Sequence, residues 1–154
     1  MEDFTQLSGQ QLDALKEIGN IGAGNAATAL AQMIHTRIDM TVPRVSILPF
    51  AQAADLFGGA DAHVVGIFLN VRGPAPGSIL FVLEAKKAEL LIDMLLMYPP
   101  GQTNINNLNE LEMSALMELG NILSATYLNA MSMFTQLSFI PSVPALAVDM
   151  AGAI

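Results

Sequence analysis

The chain of 154 residues has no cysteine, only two histidines and only six basic residues. Without cysteine there is no disulfide framework, no thiolate metal site and no cysteine nucleophile, and the isolated His35 and His63 make poor metal ligands. Fourteen acidic residues outnumber the basic ones, for a formal charge of −8. The basic footprint that a nucleic-acid backbone or an anionic membrane requires is therefore missing. The N-terminus, MEDFTQLSGQQLDAL, is acidic where a secretory signal is basic, and no apolar run follows it; a cytoplasmic protein is expected. Charge is sparse throughout, 13% of residues against 53% hydrophobic, which excludes a disordered chain. The longest charge-free stretch, Leu119 to Val148, is broken by Gly120, Asn121, Asn129, Gln136, Pro141 and Pro144, so it reads as buried core and not as a membrane helix. Any chemistry must use carboxylates, amides or hydroxyls.

From Ser8, apolar residues recur at mostly helical spacing through Ile34, with Ser8 and Gln11 placed as a capping box. Gly19, Gly22 and Gly24 would each cost this helix about 1 kcal/mol relative to alanine, and close packing against another element is the expected compensation. Ile38 to Phe50 reads as a strand and AQAADLFGGADAH (51–63) as a loop. Two further runs, Val64 to Val71 and Ser78 to Ala85, flank RGPAPG and predict an antiparallel pair. Lys86 to Tyr98 follows as a helix, stopped by Pro99, Pro100 and Gly101.

The main feature is an internal repeat. Shifted by 101 residues, DALKEIGNI (13–21) lies over SALMELGNI (114–122), with six of the nine positions identical. The same register pairs Ala29 with Ala130, Ile38 with Phe139, Val42 with Val143 and Pro43 with Pro144. The chain reads as one domain, 1–154, made of repeat 1 (about 8–100) and repeat 2 (about 102–154). The second copy ends after its first strand, two strands and a helix short of the first, and truncation is the expected reason.

Each copy carries one polar set: Asp13, Glu17, Asn20 and Pro43 in the first, Ser114, Glu118, Asn121 and Pro144 in the second. Offsets of four and three residues put the first three side chains of each set on one helix face. A single such stripe is ordinarily a solvated face, but its recurrence argues for a role. Glu and Asn one turn apart do not form a nucleophile and base, and the Ser114 copy has no second carboxylate for paired acid–base chemistry. Positioning is the better reading, since an amide both donates to and accepts from a water and a carboxylate anchors a cation. GNIGAG (19–24) lacks both the G-x-G-x-x-G spacing and the P-loop ending, so it is no nucleotide signature.

The doubled pattern D/S-x3-E-x2-N-x22-P resembles the signature of the CheC family of bacterial chemotaxis phosphatases, and Leu15 to Leu30 is especially close to it. The resemblance implies an internally duplicated α+β fold, with two long signature helices side by side on an antiparallel β-sheet and related by a pseudo-twofold. It implies hydrolysis of the aspartyl phosphate of the response regulator CheY. Asn20 and Asn121 would orient the attacking water, while Glu17 and Glu118 would pair with the regulator's lysine. Mg²⁺ would be supplied by CheY, with no metal or cofactor of the chain's own. Asp13 and Ser114 would support the site, and Pro43 and Pro144 would set the path into the adjoining strand. A second family partner, CheD, makes Asp149 a candidate contact, because no other charge follows Glu118. The alternative is a flagellar switch domain of the FliY or FliM type. FliM-like relatives lack the paired signatures, and FliY-like ones carry further segments at both ends, of which the N-terminal one has no room before Ser8.

Overall fold

The two signature helices begin and end in the same register. In the computed structural model, which describes residues 7–39 and 46–154, α1 spans Gly9–Ile34 and α3 spans Glu110–Thr135. Ser8 Oγ accepts from the Gln11 N–H (3.3 Å) while Gln11 Oε1 accepts from the Ser8 N–H (2.9 Å). Asn109 and Glu112, 101 residues later, exchange the same two bonds at 3.0 and 2.8 Å. At the other end His35 (φ 52°) and Gln136 (φ 59°) both take the left-handed conformation, donating their N–H groups to Ala31 O and Ser132 O. Each helix thus has its orphan amides satisfied at the start and turns out of helical geometry at the end.

Between them, β1 (His63–Arg72) and β2 (Gly77–Glu84) form an antiparallel hairpin, paired from Val64↔Glu84 to Val71↔Gly77. α2 (Ala85–Leu95) follows directly. The other edge of β1 is taken by β4 (Ala145–Met150), from His63↔Met150 to Phe68↔Ala145, and by the short β3 (Ile140–Pro141). Alternation along β1 sends Val65, Ile67 and Leu69 to the helix side, where they meet Ala88 and Ile92 of α2 and Leu116 and Leu119 of α3 in the main core. Helices on one face of an antiparallel sheet make this an α+β fold.

The strand expected from Ile38 to Phe50 finds no strand pairing at its described ends, residues 38–39 and 46–49; residues 40–45, Pro43 included, lie outside the described residues. Phe50, expected to end that strand, and residues 51–57, expected as loop, form a 3₁₀ helix. The 3₁₀ helix lies near the far face of the sheet, where Phe50 and Phe57 border a groove with Val64, Leu80, Val82 and Ile154.

The glycines divide. Gly19, Gly22 and Gly120 are buried in their helices. A Cβ on Gly22 would stand 2.5 Å from Cδ2 of Tyr127, and one on Gly120 the same distance from Cγ2 of Ile67. Gly22 therefore lets α1 approach α3, and Gly120 lets α3 approach β1. Close packing does not explain Gly24, whose Cβ would meet nothing within 4 Å. Gly22 and Gly24 of α1 thus predict opposite effects. Gly24→Ala should stabilise by about 0.5–1 kcal/mol through helix propensity alone. Gly22→Ala should destabilise by about 1–2 kcal/mol net of that gain, because the Tyr127 ring must move. Urea unfolding midpoints of the two variants check both signs.

The duplicated helices are not equally covered. Leu116 and Leu119 of α3 are 0% and 1% exposed, whereas Leu15, the α1 counterpart of Leu116, is 39% exposed. α3 rests on β1, while α1 packs chiefly against α3.

α2 also fastens the link between the repeats. Asp93, 2% exposed, accepts from Thr103 Oγ1 (2.6 Å), Thr103 N–H (3.0 Å) and Gly101 N–H (2.7 Å). One turn earlier, Glu89 accepts from the Ile105 N–H (3.1 Å) and pairs with Lys86 (2.8 Å).

Candidate functional site

On α3 the inner face is set by Leu116, Leu119 and Gly120, all buried. At 100° per residue, Ser114, Glu118 and Asn121 fall about half a turn away from these three, and all three are exposed. The motif therefore projects from the side of the helix turned away from the sheet. The same offsets on α1 bring Asp13, Glu17 and Asn20 to one stripe, with Asp13 and Glu17 exposed and Asn20 partly buried. Because α1 and α3 pack against each other, the helix layer carries both stripes.

Charge around the stripes is little compensated. Asp13 forms an ion pair with Lys16 at 3.5 Å, with side chains 78% and 47% exposed, and such a surface pair contributes under about 1 kcal/mol. Among the described residues, Glu17 and Glu118 enter no ion pair. Two carboxylates left unpaired on an exposed face can take a cationic group of a partner. The two amides differ. Asn121 is exposed, whereas Asn20 Oδ1 is shielded from solvent and has no hydrogen-bond partner among the described residues. An exposed amide on a well-supported helix can hold one water by donating to it and accepting from it.

Of the remaining expected residues, Pro144 and Asp149 belong to elements other than the signature helices. Pro144 is buried and immediately precedes β4; its counterpart Pro43 lies outside the described residues. Asp149 stands on β4 opposite Val64, exposed, with Oδ1 accepting the Met150 N–H at 2.7 Å. Among the described residues no group of three or more His, Asp or Glu side chains is arranged to hold a metal ion, and no helix is long and apolar enough to cross a membrane.

Two features of the site's support escaped the sequence reading. The second capping box, Asn109 and Glu112, starts α3 four residues before Ser114 and stands in the repeat register of Ser8 and Gln11, so the 101-residue shift would have found it. Tyr127, seated on Gly22, has its phenol pKa raised by burial. No local signal marks it.

The chain matches the model of the CheC-like family over residues 11–47 and 111–148, the two segments that hold the stripes. It is 44% identical over 154 residues to the CheY-P phosphatase CheC of Bacillus subtilis, covering all of this chain and 74% of that protein. Among solved structures it resembles Thermotoga maritima FliY, with a TM-score of 0.77 at 23% identity over 95% of this chain and 72% of that one. It also resembles a chain of the CheX–CheY–BeF₃–Mg²⁺ complex from Borrelia burgdorferi, with a TM-score of 0.60 at 17% identity over 84% and 74%. Two matched helices, an antiparallel sheet and a relative matched along the whole of this chain at this identity agree: the chain belongs to the CheC-like family.

Proposed function

We propose that this chain is a CheY-P phosphatase, hydrolysing the aspartyl phosphate of a chemotaxis response regulator. The observation that carries the reading is the Glu-x2-Asn pair, present twice on the helix layer with Glu17, Glu118 and Asn121 exposed, in a chain 44% identical over its whole length to a protein of that activity. Hydrolysis of an acyl phosphate needs a water aligned with the bond to phosphorus and compensation of the charge on the phosphoryl oxygens. In this proposal an asparagine amide aligns the water. The neighbouring glutamate pairs with the regulator's lysine and so fixes the regulator against the helix. Mg²⁺ stays in the regulator's own site. Water attacks phosphorus, the bond to the aspartate oxygen breaks, and the products are inorganic phosphate and a free aspartate. No covalent intermediate on this chain is needed. A chain of this fold occurs in a complex of CheX with CheY, BeF₃ and Mg²⁺, where beryllium trifluoride is an analogue of the phosphoryl group; the present reading gives this chain the same kind of partner.

Asp13 and Ser114 border the stripe and are assigned to contact with the regulator. Asp149 lies on the sheet, away from the stripes, and in this reading it is free for a second partner such as CheD while CheY is bound. A switch-domain role of the FliY or FliM type does not by itself call for the doubled Glu and Asn. The test is the decay of phosphorylated CheY with Mg²⁺ and catalytic amounts of this chain. About tenfold acceleration or more is expected, and an unchanged decay rate sinks the proposal.

A further inference from the structure

We infer, resting on the phosphatase reading above, that the two motif copies are unequal in this chain: Glu118 and Asn121 carry most of the turnover, and Asn20 is held back. The first observation is the amide itself. To raise the reactivity of a water, the side-chain carbonyl must accept one of its protons. Asn20 Oδ1 is shut away from solvent without a partner, whereas Asn121 is exposed. Turning the Asn20 amide end for end would free the carbonyl only by enclosing the NH2 group in its place, so presenting the carbonyl to a water costs the burial of unsatisfied donors.

The second observation is independent of the amide and concerns what each helix stands on. α3 is locked to β1 by Leu116 and Leu119, 0% and 1% exposed, and by Gly120 against Ile67. In α1 the counterpart leucine, Leu15, is 39% exposed, and the only buried residues are Gly19 and Gly22, which contribute no side chain. A reacting group holds its geometry when the element beneath it is fixed by packing, and segments with few buried apolar contacts open locally at low free energy. The repeat shows the divergence in sequence. Position 22 is glycine, receiving Tyr127 from α3, while its counterpart is Leu123, which packs on the main core.

Two measurements on the 154-residue chain test this. The first is kcat and KM for hydrolysis of phosphorylated CheY by Asn121→Ala and by Asn20→Ala, each checked for cooperative unfolding. Asn121→Ala is expected to lower kcat about tenfold or more with KM within about twofold, and Asn20→Ala to lower it by about threefold or less. The second is amide hydrogen exchange, with residues 17–21 expected to exchange at least about tenfold faster than 118–122. Equal losses, a larger loss for Asn20, or equal protection of the two segments would overturn the inequality and leave the phosphatase reading standing. Full activity in both single variants and in their combination would overturn both.

Discussion

Replacing Asn20 and Asn121 together by alanine is expected to lower kcat for CheY-P hydrolysis about 100-fold or more, while the fold keeps its cooperative unfolding. The size follows from the role. When the protein supplies neither nucleophile nor metal, the alignment of water is most of what it contributes, and each such aligned donor or acceptor is worth a large share of the rate. The mildness toward the fold follows from exposure. Asn121 is exposed, and substitutions at such positions change stability by about 0.5 kcal/mol or less. Asn20→Ala removes a buried carbonyl that has no partner and installs a better helix former, so this half of the double variant should raise the melting temperature slightly. Phosphate release and thermal melting on one sample separate the two effects. A double variant that melts like the parent and still hydrolyses at the parent rate would remove the amides from the mechanism.

Asp93→Ala is expected to cost about 3 kcal/mol or more, the largest stability loss predicted here, from a residue outside the motif. The carboxylate is 2% exposed and receives three hydrogen bonds from Gly101 and Thr103. Removing it strands those donors and frees the link between the repeats. Its ionisation gives the effect a sign in pH. Burial pushes the Asp93 carboxyl up, but the Thr103 hydroxyl and the neighbouring N–H groups outweigh burial and hold it below its ordinary value. Glu89 is likewise held low, by Lys86 and the Ile105 N–H. A carboxylate with a lowered folded pKa stabilises fully above its unfolded pKa, about 4, and loses that contribution as pH falls through the folded value. Urea midpoints of the parent should therefore hold near neutrality and drop below about pH 4. Asp93→Asn should start lower and drop less, and a parallel fall in the two proteins would contradict the assignment.

Much of the fold was legible because it was local or repeated. The Ser8 capping box, the hairpin strands on either side of RGPAPG and the helix ahead of Pro99 and Pro100 all follow from neighbours within a few residues, although that helix, expected to run to Tyr98, ends at Leu95. Comparing the copies then identified the stripe, because Glu and Asn recur while Lys16 faces Met117 and Gly22 faces Leu123. The ends of the segment Ile38 to Phe50 differ from expectation for the opposite reason. Its apolar, β-branched residues suit a strand, but pairing depends on an edge elsewhere in the chain, and residues 38–39 and 46–49 take none while Phe50 opens a 3₁₀ helix. Asp93 escaped notice because an acid in an amphipathic helix looks solvated until Thr103, ten residues on, is folded over it.

By itself the sequence determined the duplication, the start of the first helix, and the shared helix face on which Glu and Asn recur, since helical periodicity assigns a face without reference to anything distant. Only the tertiary structure decided that α3 sits on the sheet while α1 leans on α3, that Gly22 seats Tyr127 and Gly24 seats nothing, and that Asn121 is open while Asn20 has its carbonyl enclosed. Burial and close approach are properties of pairs of elements, and two copies of one motif acquire different surroundings as soon as different elements pack against them.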